Sequence, residues 1–379
     1  MVYQLSVMKR YSKPCPAHVS AVRSTTCSSA LAPARALVLA CMLVGGAGAC
    51  SGASTSGPGG APARPQPAEA LPPAASASAP AASSAPAASA PAAPGTAVPR
   101  PTKRLTAAEA RRYMVALVNR DRATQGLGPV ELDDGAPTVA GQAHAEDMAR
   151  LGYLGHWGSD GSVPEQRHTE AGGSDMVLEN ALCFTDEARR TLDPKALIDP
   201  AQVERAESMF FDEVPPNDGH RKNILKPGHT KVGIGVAQPI ATPTELPVPC
   251  FAQEFTDGYG SYAALPKRAK VGTVVRVEGS LAAGARPTGV GVARVVKPGP
   301  IAASDLNKRR SYPVPKPFQM YWGPGFVTPV PVKIDGGKLA IDVPLSDHAQ
   351  PGLYEISVWA KLGKSEEHTM VSLRTIVVD

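Results

Sequence analysis

Between Ser51 and Pro101 the chain is built almost entirely from alanine, proline, serine and glycine, as in Leu71-Pro72-Pro73-Ala74-Ala75-Ser76. Such a stretch has almost no large apolar side chain to bury, so nothing offsets the entropy of ordering it. Residues 51–101 are therefore expected to form an extended, semi-rigid spacer. The fold must be sought downstream, where the rest of the 379 residues leaves room for two domains of ordinary size.

Upstream of the spacer, Arg35 precedes the short apolar run Ala36-Leu37-Val38-Leu39-Ala40-Cys41-Met42-Leu43-Val44, and small residues then lead to Cys50. Positive charge, a short apolar run and a small-residue exit are the pattern of a secretory signal peptide. The run is shorter than the roughly 20 apolar residues that a membrane span needs. Cys50 directly after Ala47-Gly48-Ala49 resembles the lipobox of bacterial lipoproteins, although Ala47 stands where that family prefers leucine or valine. The resemblance implies that residues 1–50 are a signal peptide and that Cys50 is acylated. The protein would then be tethered to the envelope, at the outer membrane because Ser51 follows; simple cleavage and release, or an uncleaved anchor, are the alternatives. About 50 residues extended as polyproline II at about 3.1 Å each would reach more than roughly 100 Å.

Cysteine usage fits export. Cys15, Cys27 and Cys41 would leave with the signal, so only Cys183 and Cys250 remain in the body. In an oxidising compartment these two close a disulfide or stay as two buried thiols; the sequence leaves both open. The net charge is +5, with much of the excess at Lys9, Arg10, Lys13 and Arg23. No basic run interleaved with aromatics follows, so a nucleic-acid partner is not expected.

In the first folded part, Thr106-Ala107-Ala108-Glu109 has the form of a capping box. Ala110, Met114, Leu117 and Val118 then recur at helical spacing, and this helix should end near Gln125-Gly126. A second helix is expected over about 137–151, with Val139, Ala140, Ala143, Met148 and Leu151 on its apolar stripe. A third is expected from Pro200 to Phe211, with Val203, Ala206, Met209 and Phe210 inward. Residues 231–237 and 248–255 read as strands. Helices first and paired strands last predict an α+β arrangement.

The ordered set Asn119-x-x-Arg122, Ala143-His144-Ala145-x-Asp147-Met148-Ala149, Gly155-His156, Asp160-Gly161, Glu179-Asn180 and Gly219-His220-Arg221-x-Asn223-Ile224-Leu225 resembles the CAP superfamily. That is the superfamily of cysteine-rich secretory proteins, antigen 5 and pathogenesis-related proteins 1, here in its bacterial form. The resemblance covers about residues 102–262 and implies an α-β-α sandwich with a central cleft. Carried over by position, the cleft is lined by His156, His220 and Glu179. Glu213 is taken as the second acid because it follows the aromatic pair Phe210-Phe211.

Two neutral imidazoles with one or two carboxylates suit a divalent metal, zinc above all, held by His156 and His220. The same groups without metal suit acid/base chemistry, with Glu179 or Glu213 as candidate catalytic carboxylates, or a purely structural network. No Gly-x-Ser-x-Gly elbow, His-Glu-x-x-His pair or phosphate loop is present, which favours a binding protein over an enzyme. His144 is expected to face solvent or pack beside Ala140, His168 to lie in a loop and His229 in a turn. Asp160-Gly161 reads as a turn, not a calcium loop.

Residues 267–379 change to a period of two. Val275 and Val277, then Leu339, Ile341 and Val343, then Tyr354, Ile356 and Val358, then Val371, Leu373, Thr375 and Val377 mark strands, and Asp335-Gly336-Gly337 suits a tight hairpin. The expectation is an all-β sandwich of immunoglobulin-like type, with Trp322 and Trp359 as core or interface aromatics. The chain as a whole then reads as an envelope protein whose cleft binds a small apolar ligand, a metal or an envelope component. A hydrolase acting on peptide or peptidoglycan and an adhesion or scaffold protein are the alternatives.

Overall fold

The computed structural model describes residues 97–379 other than 244–246 and 310, with the backbone of 2–4 and 6–7. Cys50, the apolar run before it and the spacer up to residue 96 lie outside the described residues. In chain order the strands are β1 (Val2–Gln4), β2 (Ser6–Val7), β3 (Glu131–Leu132), β4 (Val177–Cys183), β5 (Lys231–Ala237), β6 (Cys250–Thr256), β7 (Gly260–Tyr262), β8 (Arg268–Ala269), β9 (Val274–Leu281), β10 (Ala285–Val295), β11 (Ser311–Pro313), β12 (Gln319–Trp322), β13 (Lys333–Asp335), β14 (Lys338–Pro344), β15 (Gly352–Leu362) and β16 (Thr369–Val378). The helices are α1 (Ala107–Ala123), α2 (Ala136–Leu151), α3 (Pro164–Glu170), α4 (Pro200–Phe211), α5 (Gly219–Ile224) and α6 (Ala303–Leu306).

The first sheet has the order β2-β4-β6-β5-β3, with β6 antiparallel to both β4 and β5. One apolar cluster joins Met114, Leu117 and Val118 of α1 and Val203 and Phe210 of α4 to Val232, Ile234 and Phe255 of the strands. A second joins Ala145, Met148 and Ala149 of α2 to Ala181 and Cys183 of β4 and Cys250 of β6. Neighbouring residues of β4 enter different clusters, Leu182 the first and Ala181 and Cys183 the second, as strand alternation requires.

Helix α1 begins where the sequence predicts: the Glu109 amide donates to Thr106 Oγ1 and the Thr106 amide donates to Glu109 Oε2 at 2.8 Å, closing the capping box. Helix α2 is rotated from the expected stripe. Its buried residues are Pro137, Thr138, Ala140, Gly141, His144, Ala145, Met148 and Ala149, while Val139 is 54% exposed. The reason is backbone proximity. A Cβ on Gly235 would lie 2.0 Å from the Gly141 carbonyl oxygen, and one on Gly233 would lie 2.2 Å from the Pro137 carbonyl carbon. The two glycines of β5 therefore admit the Pro137–Gly141 face of the helix, and that face carries His144 inward.

Two further sheets, β12-β10-β15-β16-β8 and β13-β14-β9-β7, share one core in which Val290, Val292, Ile356 and Val358 meet Val275, Val277, Leu339 and Ile341. The predicted hairpin is present, with Asp335 paired to Lys338 and Gly336 at φ +55°. Trp322 and Trp359 are half-buried; Trp322 contacts the His368 ring at 5.1 Å. The core does not stop at the 262/267 boundary. Val163, Met176 and Leu178 share a cluster with Tyr312, Leu353 and Leu373, and Leu306 packs with Met148 and Tyr153.

Cys183 ends β4 and Cys250 begins β6, and the two are disulfide-bonded with Cα atoms 4.5 Å apart. The bond closes a span of 67 residues. A crosslink over a loop of that size typically stabilises by roughly 2–4 kcal/mol. Cys183→Ala/Cys250→Ala is expected to lose about that much, read from the guanidinium midpoint; an unchanged midpoint would mean that β4–β6 pairing alone holds the strands.

Candidate functional site

The motif residues and the side chains around them come from several elements. β4 supplies Glu179 and Asn180, β6 supplies Gln253 and Glu254, α2 supplies His144, and α3 supplies Arg167. α5 supplies His220 and Asn223, Glu213 follows the end of α4, and His156 lies in the turn between α2 and α3.

Two acid–imidazole pairs form. His156 Nδ1 lies 2.9 Å from Glu179 Oε1, and His220 Nδ1 lies 2.8 Å from Glu213 Oε1. A carboxylate only accepts, so each Nδ1 carries the proton and each ring is fixed by its own acid. The Glu213 carboxylate also accepts from the His220 amide at 2.9 Å. The two imidazole rings are 6.4 Å apart, and Phe210 meets the His220 ring edge-on at 5.0 Å.

The asparagines hold these halves together. Asn180 Nδ2 donates to Gln253 Oε1 at 2.8 Å and to the His220 carbonyl at 3.2 Å. Asn223 Nδ2 donates to Asn180 Oδ1 at 2.9 Å and to the Glu179 carbonyl at 3.2 Å. Asn119 and Arg122 sit outside the site and brace it. Asn119 exchanges two bonds with the Val130 backbone. Buried Arg122 donates to the carbonyls of Gly128, Ile224 and Lys226, which ties α1 to the end of α5.

Sequence reasoning missed the centre of the network. Arg167 Nη2 donates to Glu179 Oε2 at 2.6 Å and to the His156 carbonyl at 3.1 Å, and Nη1 donates to the Ser162 carbonyl at 3.0 Å. Burial alone would raise the Glu179 carboxyl, but His144, Arg167 and His156 together hold it well below the usual carboxylate range. Burial would likewise lower Arg167, yet the charge of Glu179 outweighs it. Glu254 is the direct cross-strand partner of Glu179. Burial and the Glu179 anion push its carboxyl well above the ordinary value, so it stays protonated beside its neighbour. A glutamate in the apolar strand Cys250–Thr256 was the available signal.

His144, His168 and His229 are all buried, and one of them is not where the sequence reading puts it. His144 is fully buried on α2, its Nε2 donating to the Gly155 carbonyl at 2.7 Å and lying 3.6 Å from Glu179 Oε1. Burial, then the charge of Arg167, lowers it to about 4, so the ring is neutral. His168 is not in a loop: it is buried on α3, and burial lowers it to about 4. His229 is buried too, 2.6 Å from Asp257 Oδ1 and stacked on Phe255. His229 lies at the expected turn and His144 shares the buried face of α2 with Ala140; only His168 was misplaced, its ring being buried on a helix and not carried in a loop.

A resident catalytic zinc takes three protein ligands. Among the described residues no three His, Cys, Asp or Glu side chains gather as a metal-holding group, so His156 and His220 alone fall short of that set. A pocket of 460 Å³ opens on the other end of the network and is lined by His144, Asp147, Ser159, Asp160, Ser162 and Arg167, among others. His144 Nδ1 and Arg167 Nε, both buried, have no hydrogen-bond partner among the described residues.

With this geometry in place, the comparisons agree with the motif order. The profile of the Cysteine-rich secretory protein family, CAP, matches residues 115–239, and that part of the chain is a CAP-superfamily domain. No curated protein matches the chain. A solved structure described as a chitin binding domain from Burkholderia pseudomallei is similar over 31% of this chain and 58% of that one, at 10% identity and a TM-score of 0.20. The chain thus spans just under three fifths of that structure's length, and the similarity is too low to bear on fold or function. Among the described residues no helix is long and apolar enough to cross a membrane.

Two outcomes test the electrostatics. Removing one partner of a buried ion pair typically costs about 3–5 kcal/mol, so Arg167→Met should destabilise by that order and Arg167→Met/Glu179→Gln should recover part of it in urea melts. Glu207, donated to by Gln253 Nε2 at 2.6 Å, is pushed up to about 8 by burial and then by Asp121. Its folded-state affinity for a proton exceeds the unfolded one, so its contribution is present below about 4.5 and is lost as pH rises to about 8. Glu207→Gln should therefore gain on wild type in thermal melts between pH 5 and pH 8, by at most about 1.4 kcal/mol per pH unit; parallel profiles would remove this assignment.

Proposed function

We propose that the protein is an exported or lipid-anchored envelope protein that recognises a small envelope component through its CAP domain and does not turn it over. On this reading residues 1–50 direct export, Cys50 carries the anchor, and the spacer carries an α-β-α sandwich of residues 102–262. An immunoglobulin-like sandwich of residues 267–379 is packed against it. Membership of a superfamily whose domains are often secreted supports the location.

The observation that carries recognition over hydrolysis is the state of Glu179. It is the carboxylate a general-base mechanism would use, and it is buried, bonded to Arg167 and His156, and held well below the usual carboxylate range. A base must be poised near working pH to take a proton efficiently. Glu179 is too weak a base, and neither cysteine of the body is a free nucleophile. What the site does offer is a lone pair at His144 Nδ1 and an N–H at Arg167 Nε beside the 460 Å³ pocket. That pairing suits a ligand with hydroxyl or amide groups, as in peptidoglycan fragments.

Calorimetric titration of the full chain with a soluble muropeptide tests this. Saturable heat without cleavage is expected, weakened at least tenfold by His144→Phe. Cleavage by the wild type would favour the hydrolase instead, and no heat at all would refute recognition of this class. In a parallel zinc titration, equal heat from wild type and His156→Ala/His220→Ala would remove the histidine pair as metal ligands.

A further inference from the structure

A second cavity lies away from the histidines. A pocket of 820 Å³ lies where the turn from Trp157 to Val163 meets the end of β10, the segment after α6 and the start of β15. Its volume falls in the range of about 300–1,000 Å³ typical of small-molecule sites. Trp157, Val163, Val314 and Leu353 give it an apolar wall. Tyr312 adds a ring face: it meets Trp157 edge-on at 4.9 Å, while its hydroxyl is turned to Glu165.

The charge at this pocket has one sign. Lys297, Arg309 and Lys316 line it, and among the described residues no acidic side chain does. Lys297 is paired with Asp379. Arg309 lies over the Trp157 ring with its guanidinium carbon 4.5 Å from the centroid, and the nearby Asp305 is bonded by Lys308. Lys316 is exposed and has no carboxylate partner among the described residues. Arg309 and Lys316, neither bonded to a carboxylate among the described residues, stand beside an apolar wall and complement one kind of molecule.

We propose that this pocket binds a single-chain anionic amphiphile, a long-chain carboxylate, separately from the His156/His220 site. The chain lies against Trp157, Val163, Val314 and Leu353, and the carboxylate meets Arg309 and Lys316. A zwitterionic or cationic amphiphile of the same length gains the apolar contact but not the charge, so it binds more weakly. Each methylene removed from water is a roughly fourfold effect, so losing two weakens binding by about tenfold or slightly more.

The experiment is titration of the full chain with dodecanoate below its micelle concentration, followed by calorimetry and by tryptophan emission, since Trp157 lines the site. Saturable one-to-one binding is expected. Decanoate should bind about tenfold more weakly, and dodecyltrimethylammonium more weakly still. Arg309→Glu/Lys316→Glu should weaken dodecanoate at least tenfold; the single exposed-site variant Lys316→Glu should weaken it less, with an unchanged melting temperature. Val314→Trp, which fills the pocket, should abolish binding whatever the charge. Non-saturable uptake, equal affinity for the cationic amphiphile, or wild-type affinity in the charge-reversed variants would overturn the proposal.

Discussion

Two glutamates face each other across β4 and β6, Glu179 opposite Glu254, in strands that are buried throughout. Like carboxylates at that spacing in a dry interior cannot both ionise. Arg167 resolves the conflict by bonding Glu179 and leaving Glu254 to keep its proton. Much else follows from that choice. Because Arg167 also donates to the carbonyls of His156 and Ser162, it fixes the turn that places the first imidazole. Because α3 must bring Arg167 inward, it also brings Glu165, which the Tyr312 hydroxyl bonds from the C-terminal part. One buried cation thus links the CAP site to the packing of residues far along the chain.

The division of protonation between the two glutamates also decides what the site can do. A carboxylate is a useful base when its proton affinity matches the working pH, and a useful acid when its proton is held just tightly enough to give. Glu179 lies far to one side and Glu254 far to the other. Neither sits in the middle, and the imidazoles beside them spend Nδ1 on carboxylates. An arrangement of this kind fixes the tautomer and orientation of each ring. The atoms left without a partner among the described residues, His144 Nδ1 and Arg167 Nε, belong to neither of these two pairs.

How much of this was legible in the sequence depended on the range of the interaction. The capping box at Thr106, the helix from Pro200 and the hairpin at Gly336 are local, and each appeared where expected. His156, Glu179, Glu213 and His220 were reached through motif order, and the structure joins them as two pairs that the motif order did not specify. Arg167, Glu254, Glu207 and His144 were not reached. Each is a polar residue whose partner lies on another element, and on its own helix or strand each looks like a solvated side chain or an anomaly. The stripe of α2 failed for a related reason. Val139 and Ala143 are more hydrophobic than Gly141 and His144, but the close approach of Gly233 and Gly235 selects the other face.

The same logic bears on the junction between the two folded parts. Period-two patterning separates residues 267–379 cleanly from the helical part in sequence, which suggests two bodies joined by a short link. The packing is more intimate. Leu306 enters the cluster of α2, and Tyr312, Leu353 and Leu373 complete a cluster begun by Val163, Met176 and Leu178. Without the C-terminal part these apolar residues would be left open, and the Glu165 carboxyl would lose Tyr312 while remaining beside Arg167. The CAP site is therefore supported from both sides, by its own sheet and by strands that its motifs do not include. The apolar pocket at Trp157 is lined from both parts, by Trp157, Gly161 and Val163 on one side and by residues such as Val314 and Leu353 on the other.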